Sequence, residues 1–430
     1  MTLQFPDILV TGGPNPADFP AIPAPWDNPG VMIRAFLALI LLLANACGLS
    51  LSGKRPKYSG AIQKPLWKVD DIMVDEVFIG KRIVFCRART FASPAKHLYA
   101  FDAGNGKQLW ISDFELDPGS SHFFVRDVLV IRGADSQMHS IVAATGKPSR
   151  TPFSQALRGV SVDEATYVVS PGRLVAYDNQ RLDELWHAEL KVEVSDGPIA
   201  AGQNVLVAGP ADATRTVYAF DRKTGKPAWN WSVKGDASPM AADENALYYS
   251  SWAERNAFAV AVDANSGLRK WSHPLNNANL TASAYLTGQG YLLIRDNPPG
   301  KGEARSETGY VFRTLKCDSG EESKAVSTAW KYPNPIIYGS AIYASDYQSG
   351  RLLNEGGDAA PDSWLTAASL LTGKELWRGE TVHYGVFTTP AAGEGIVAVG
   401  IQPYSPPVPK AGDPMPAGLW VWKATGEGRE

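Results

Sequence analysis

Short runs of alternating apolar and polar residues, each followed by a tight turn and a tryptophan, recur along this chain. The clearest run is Val217 to Trp229, which reads Val-Tyr-Ala-Phe-Asp-Arg-Lys-Thr-Gly-Lys-Pro-Ala-Trp. Alternation with a period of two residues predicts a β-strand whose two faces meet different surroundings. Thr224-Gly225 supplies the residue with positive φ that a tight turn requires. The run therefore predicts a β-hairpin that ends in a large aromatic side chain.

Seven further stretches repeat this hairpin with varying completeness. Four of them keep the closing tryptophan: Leu98 to Trp110, Leu174 to Trp186, Ala259 to Trp271, and Leu365 to Trp377. In the second of these, Leu182 replaces the turn glycine. Three degenerate copies keep the glycine without the tryptophan at its usual distance: Met138 to Gly146, Val311 to Gly320, and Leu419 to Gly426. Eight all-strand repeats of this size predict an all-β fold, an eight-bladed β-propeller of four-stranded antiparallel blades.

The two ends of the repeat region complete each other. The last copy lacks the strand that should follow its turn, whereas Gln63-Lys64-Pro65-Leu66-Trp67-Lys68 is a Leu-Trp strand with no hairpin before it. We therefore expect the N-terminal strand to be the outer strand of the last blade. Closing the ring in this way removes an exposed seam of unpaired strand edges.

Tryptophan, charge and cysteine content refine this interpretation. The chain has 13 tryptophans, and we expect those in the repeat slot to pack between blades: Trp67, Trp110, Trp186, Trp229, Trp271, Trp330 and Trp377. The formal net charge of −3 gives no basic excess that would favour nucleic acid. The six histidines are scattered without metal-ligand spacing. The repeat aspartates are expected to bond hairpin amides, and Cys86 and Cys317 are expected to be small buried residues without a disulfide.

The N-terminal region has a different composition. Residues 1–31 contain seven prolines and no periodic pattern, so we expect a disordered segment or a mis-assigned start, with translation beginning at Met32. Residues 32–46 combine Arg34, an apolar run and small residues before Cys47. This pattern resembles a bacterial lipoprotein signal peptide, with Cys47 as the lipid-bearing first mature residue. An ordinary signal peptide or an uncleaved anchor stays open. Residues 47–62 are predicted to be a tether, followed by the propeller over 63–430.

Three late repeats carry inserts before their hairpins. The inserts are Asp296 to Thr308, Tyr347 to Asp362, and Gln402 to Ala417. Because such loops lie on one face of a propeller, we expect a raised lip over blades 6 to 8. The candidate partner-binding residues in or beside it are Arg305, Tyr347, Arg351, Trp364 and Tyr404. Loop growth without function is the alternative, because long loops are thermodynamically inexpensive.

The Tyr-Ala-x-Asp-x-x-Thr-Gly-Lys-x-x-Trp hairpins resemble the repeat of the pyrroloquinoline-quinone-like propeller superfamily, over about residues 60–430. One branch contains quinoprotein dehydrogenases, which typically carry adjacent cysteines and a much longer chain. The other contains BamB-type outer-membrane assembly lipoproteins, which are non-enzymatic scaffolds. The length, the eight repeats and the lipoprotein-like signal are similar to the second branch. In that family's sorting rule, Gly48 after the cysteine implies the outer membrane.

This resemblance implies a lipid-anchored, non-enzymatic scaffold on the periplasmic side of a bacterial envelope. Its partners would be proteins, including outer-membrane barrel assembly components, and the propeller would be a monomer. We predict no catalytic, cofactor-binding or metal-binding residues and no nucleic-acid partner. Two alternatives stay open: a quinoprotein-type or other small-ligand enzyme, and a propeller that binds a cell-envelope ligand on the loops of blades 6 to 8.

Overall fold

A computed structural model describes residues 61–116, 119, 121–209, 214–234, 241–253, 256–275, 285–288, 290–296, 311–327, 335–349, 361–403 and 416–425. These residues form β-strands joined by turns and short connections. None of the described residues belongs to a helix that could cross a membrane.

The chain enters the fold with two short strands, β1 (Ala61–Gln63) and β2 (Trp67–Asp70). Blade 1 then contains β3 (Ile72–Gly80), β4 (Ile83–Thr90), β5 (His97–Asp102) and β6 (Gln108–Glu115). Blade 2 contains β7 (His122–Val125), β8 (Val128–Arg132) and β9 (Met138–Val142). Blade 3 contains β10 (Arg158–Val162), β11 (Ala165–Ser170), β12 (Arg173–Asp178) and β13 (Glu184–Glu189). Blade 4 contains β14 (Asp196–Ala201), β15 (Asn204–Ala208), β16 (Thr214–Asp221) and β17 (Pro227–Lys234).

The later blades follow the same order. Blade 5 contains β18 (Ala241–Ala242), β19 (Ala246–Ala253), β20 (Asn256–Asp263) and β21 (Arg269–Leu275). Blade 6 contains β22 (Tyr285–Gly288), β23 (Tyr291–Asp296), β24 (Val311–Lys316) and β25 (Glu322–Ser327). Blade 7 contains β26 (Ile336–Tyr338), β27 (Ala341–Ser349), β28 (Pro361–Ser369), β29 (Glu375–Gly379) and the short β30 (Val382–His383). Blade 8 contains β31 (Gly385–Phe387), β32 (Ala391–Gly393), β33 (Ile396–Pro403) and β34 (Gly418–Lys423).

Within each blade, neighbouring strands pair antiparallel; in blade 7 the short β30 pairs with β28, and in blade 8 both β31 and β32 pair with β33. The first strands of neighbouring blades contact one another around most of the ring. The predicted eight-bladed propeller is therefore confirmed. Blade 2 is the irregular member, because its described strands number three. Its fourth position is taken by a short run in which Pro148 bridges Ile141 and Ser149 N donates to Ser140 O. The chain then turns inward, so that Phe153 is buried beside Phe123 and Tyr177.

The ring closes as predicted. β2 pairs antiparallel with β34, from Trp67 opposite Val421 to Asp70 opposite Gly418, and becomes the outer strand of blade 8. The structure adds a feature that the repeat pattern did not predict. β1 pairs parallel with β29 and so extends the outer edge of blade 7 by one strand. This strand is held because the Nε1 of the buried Trp422 donates to the carbonyl oxygen of Gln63 at 3.1 Å.

Both faces of each blade are buried against a neighbour. In β4, Val84 and Cys86 belong to the core shared with blade 8, whereas Ile83 and Phe85 belong to the core shared with blade 2. Alternate residues of one strand thus serve two separate inter-blade cores. This explains why the second strands are apolar almost throughout, unlike the outer strand β6, in which exposed and half-buried residues alternate.

The repeat aspartates hold the hairpin turns, as expected. Asp221 Oδ1 accepts hydrogen bonds from the backbone N of Lys223 and Thr224 and from the Thr224 hydroxyl, at 2.8 to 3.1 Å. Asp178 and Asp263 accept equivalent amide bonds in their own turns. The hydrogen bond from the Thr224 hydroxyl is the main cause that holds the pKa of Asp221 below its ordinary value. The aspartates are therefore structural groups of the turn.

Replacing Asp221 by asparagine should reduce stability at neutral pH and make it less sensitive to acid. A carboxylate with a depressed folded-state pKa stabilises the fold fully above its unfolded pKa of about 4, and this contribution is lost as the pH falls through the lower folded value. The difference in urea-unfolding midpoint between wild type and D221N should therefore shrink from about pH 6 to about pH 3. Asp127→Asn is the control, because no described residue donates a hydrogen bond to that carboxylate. A difference that is equal at both pH values would contradict this assignment.

The repeat tryptophans each dock on the turn of the following blade. The Nε1 of Trp186 donates to the carbonyl oxygen of Arg222 at 2.9 Å, and its ring lies against Gly225 of blade 4. Four further indoles make the same pair of contacts with the next blade: Trp67, Trp110, Trp229 and Trp271. Trp377 Nε1 donates to Thr425 Oγ1 of blade 8 at 3.3 Å. Trp330 lies outside the described residues.

Candidate protein-interaction surface

The predicted inserts fall between the second and third strands of blades 6, 7 and 8, that is, between β23 and β24, β27 and β28, and β33 and β34. The Thr-Gly turns join third to fourth strands. Because consecutive strands run antiparallel, these two kinds of connection lie at opposite ends of the blades. We call the end that bears the inserts the insert face and the end that bears the Thr-Gly turns the turn face.

Most of the predicted lip lies outside the described residues. This applies to Arg305, Arg351 and Tyr404. The backbone of Tyr347 belongs to β27, which pairs with β28 from Ala341 opposite Ser369 to Ser349 opposite Pro361. The insert of blade 7 therefore arises from a hairpin whose two strands are nine residues each.

The structure corrects the prediction for Trp364. The sequence predicts it as a partner-binding residue beside the insert of blade 7, but it lies within β28 and is 3% exposed. By the alternation of β28 it is on the same face as Ala368, which packs in a core with Leu293 of blade 6. The guanidinium carbon of Arg378 is 4.8 Å from the centre of its ring. Trp364 thus supports the base of the insert from inside and does not present its indole to a partner.

Hydroxyl groups fasten the base of the blade 7 hairpin to the inner part of blade 8. Ser345 Oγ donates to the carbonyl oxygen of Thr388, and Ser363 Oγ donates to that of Gly385, both at 2.6 Å. At the same end of the hairpin, Asp362 pairs with His383 at 2.6 Å, with the imidazole 70% exposed. In the described residues, hydrogen bonds therefore hold the base of the blade 7 hairpin to blade 8, and the exposed His383 lies at its surface.

A charged network joins blade 8 to blade 1 beside the insert of blade 8. Gln402, near the end of β33, donates through Nε2 to Asp75 Oδ1 at 2.5 Å. Asp75 Oδ2 is 2.5 Å from Lys96 Nζ and 3.6 Å from the buried Arg87. Burial raises the pKa of the neighbouring Glu76, against the lowering effect of Arg87. The sequence pattern did not predict this network. Asp75 and Glu76, two adjacent acids within the otherwise apolar strand β3, could have indicated it.

The cysteines behave as the sequence indicated. Cys86 and Cys317 are both free and buried. Burial raises the pKa of both thiols, that of Cys317 to about 11. Cys47 lies outside the described residues. Within the described ranges, no three His, Cys, Asp or Glu side chains are grouped so that they could hold a metal ion together.

Fold and repeat together define this protein as a propeller of the pyrroloquinoline-quinone-like repeat class. Residues 170–386, half of the chain, match the family model described as "Outer membrane protein assembly factor BamB". The chain therefore belongs to this family. No curated protein sequence matches it.

Two solved structures share this fold at low sequence identity, and a third is similar over a comparable length. The computationally designed Ika8 protein is 12% identical, with a TM-score of 0.56 over 85% of this chain and 100% of Ika8. BamB from Moraxella catarrhalis is 14% identical, with a TM-score of 0.50 over 85% of this chain and 99% of that protein. Quinohemoprotein alcohol dehydrogenase from Comamonas testosteroni is 12% identical, with a TM-score of 0.47 over 86% and 79% of the two chains.

Proposed function

We propose that this protein is a non-enzymatic scaffold that is lipid-anchored through Cys47 on the periplasmic side of a bacterial outer membrane. In this proposal the propeller binds protein partners, among them components that assemble outer-membrane barrels. The observation that carries the proposal is the match of residues 170–386 to the BamB family, whose description names outer-membrane protein assembly. The lipoprotein-like stretch before Cys47 supports the anchor.

The geometry supports binding at two kinds of surface. The first is the insert face, where the hydrogen-bonded hairpin of blade 7 and the Asp75 network give the inserts of blades 7 and 8 a rigid base. Loops on such a base commonly carry recognition. The second is the outer edge of the blades. In this chain β1 already adds to the edge of β29, which shows that a blade of this ring accepts a further strand.

The proposal is tested by purifying the tagged protein from its own envelope in mild detergent and identifying co-purified proteins by mass spectrometry. Outer-membrane barrel assembly components should be recovered with the wild type. Reversing the charges with R305E and R351E should reduce their recovery at least about tenfold if the lip carries the contact, since like charges oppose binding. K191E/K223E is the matched control, because Lys191 lies in the connection between blades 3 and 4 and Lys223 in a turn of blade 4, and neither lies in an insert.

A second arm tests the anchor. Cys47→Ala should move the protein from the membrane fraction to the soluble fraction, because the lipid would no longer be attached. Full retention of C47A in membranes would contradict the anchoring residue. Recovery of the wild type without any protein partner, but with a bound small molecule, would contradict the scaffold and favour the small-ligand alternatives.

A further inference from the structure

Three junctions between blades share a tyrosine in addition to the tryptophan. At the junction of blades 3 and 4, Tyr167 of β11 and Trp186 of β13 both direct their polar hydrogens to the carbonyl oxygen of Arg222, at 3.2 and 2.9 Å. At the junction of blades 5 and 6, Trp271 Nε1 donates to the carbonyl oxygen of Cys317 at 2.9 Å, and the Tyr248 hydroxyl oxygen lies 3.4 Å from the same carbonyl while its hydrogen is directed to Asp243.

The third such junction joins blades 7 and 8. There Tyr343 donates to the carbonyl oxygen of Thr425 at 2.9 Å, while the indole of Trp377 donates to the Thr425 hydroxyl. The repeated arrangement shows that these are equivalent positions of the blades, so the residues that surround them can be compared within this one chain.

At the junction of blades 3 and 4, the space beside the tyrosine is filled by the Arg222 side chain. Arg222 Nη2 donates to Asp163 Oδ2 at 2.6 Å, Nε donates to the Tyr167 hydroxyl at 3.3 Å, and Nη1 donates to the carbonyl oxygen of Gly202 at 3.2 Å. The guanidinium carbon lies 5.7 Å from the centre of the Tyr167 ring. An acid, a hydroxyl and an aromatic ring thus bind a planar cation.

At the junction of blades 5 and 6, Cys317 occupies the position of Arg222. The equivalence is fixed by the backbone, because Arg222 N donates to Gln203 O and Cys317 N donates to Gly290 O, each across the first turn of its blade. The short thiol leaves a cavity of about 450 Å³ on the turn face, lined by Tyr248, Gly290, Cys317 and Asp243 among others. Asp243 Oδ2 accepts the Tyr248 hydroxyl at 2.7 Å.

The charges around this cavity favour a cation at its base. Two lysines, Lys270 and Lys316, also line it. Lys316 Nζ is held by Glu321 at 2.6 Å, and the lining also contains two acids, Asp243 and Asp318. The Lys316 charge is therefore balanced by Glu321, and the Asp243 carboxylate at the base of the cavity lies beside the Tyr248 hydroxyl.

We propose that the cavity between blades 5 and 6 is a binding site for a guanidinium group, which would take the place that the chain's own Arg222 fills between blades 3 and 4. Asp243 would accept N–H donors from the ligand, and the Tyr248 ring would lie beside its plane. Two sources carry this group: a free alkylguanidine and the arginine side chain of a partner protein. This site is separate from the insert face and does not depend on the proposed scaffold role.

The first test is binding to the full chain, purified in detergent, by calorimetry or ligand-observed NMR. The probes are ethylguanidine for a free ligand and acetyl-Gly-Arg-Gly-amide for a protein-borne arginine, with acetyl-Gly-Lys-Gly-amide and acetate as controls. The proposal expects one site, with the arginine peptide bound at least about fivefold tighter than the lysine peptide. Preference for ethylguanidine would identify a small ligand, and preference for the arginine peptide a protein partner; both support the site.

The second test exchanges the residues that distinguish the two junctions, Cys317 and Arg222. Cys317→Arg should fill the cavity as Arg222 does and remove binding of the probes, while a thermal melt reports that the fold is kept. Arg222→Cys should open the equivalent space and raise the stoichiometry from one site to two. Asp243→Asn should weaken binding about tenfold, the loss expected when a charged acceptor becomes neutral. Unchanged affinity in C317R, equal binding of the lysine peptide, or binding of acetate alone would overturn the proposal.

Discussion

Replacing Gly225 by alanine should lower the free energy of unfolding by about 2–4 kcal/mol. Gly225 has a φ of +70°, and a Cβ added there would lie 2.5 Å from Cε3 of the Trp186 ring. Two costs therefore combine: about 1 kcal/mol for an alanine in the left-handed region, and about 1–3 kcal/mol for forcing the indole out of a packed junction. Urea unfolding followed by tryptophan fluorescence measures the sum.

Gly172 provides the matched control within blade 3. Its φ is +73°, but a Cβ added there would meet no atom within 4 Å. Gly172→Ala should therefore show only the backbone cost of about 1 kcal/mol. Equal losses in G172A and G225A would mean that the contact with Trp186 contributes nothing, and the view that the indoles dock the blades on glycine turns would have to be abandoned.

Removing residues 61–70 should open the ring and cost about 3 kcal/mol or more, because it deletes the partly buried Trp67 together with the pairing of β2. The deletion takes away Trp67, whose ring packs against Gly106 of blade 1 and whose Nε1 donates to the carbonyl oxygen of Ala103. It also leaves the edge of β34 without its partner β2. A bare edge of this kind promotes association between molecules, which light scattering would detect.

A transplanted strand separates ring closure from simple loss of sequence. A variant that begins at Ile72 and carries residues 61–71 after residue 425, joined by a short Gly-Ser linker, should recover most of the lost stability. The reason is that β2 pairs with β34, so its own position in the chain does not matter for the pairing. If the transplanted chain is as unstable as the deletion, closure by β2 is not what stabilises the ring.

The exception among the repeats shows how far local sequence determines a junction. Blade 2 lacks the tryptophan of the repeat, and the following turn, in blade 3, has Leu182 where the other hairpins have glycine. Leu182 adopts a φ of +61° and packs beside the core that contains Phe153. Where no indole needs the space above the turn, a side chain can occupy it. The two departures from the repeat, which look unrelated in the sequence, thus explain each other.

Other features could not have been read from the pattern. Trp364 stands next to an insert in the sequence, but the strand β28 continues through it, and its side chain is buried with the guanidinium of Arg378 over its ring. β1 precedes the repeats and has no pattern of its own, yet it adds to blade 7 because Trp422 reaches the carbonyl oxygen of Gln63. Both outcomes depend on neighbours that are remote in sequence.

The sequence by itself determined the structure of the single blade and the number of blades. Period-two alternation, the Asp-to-amide turn, the turn glycine and the closing tryptophan act within about a dozen residues, so their number and spacing were enough to give eight blades and a ring closed by the N-terminal strand. The tertiary structure alone decided which side chains share a junction. The contrast between Arg222, which fills its junction, and Cys317, which leaves a cavity, became visible only when Tyr167 and Tyr248 were seen at equivalent places. Such contacts join residues 55 and 69 positions apart, and nothing local in the chain encodes them.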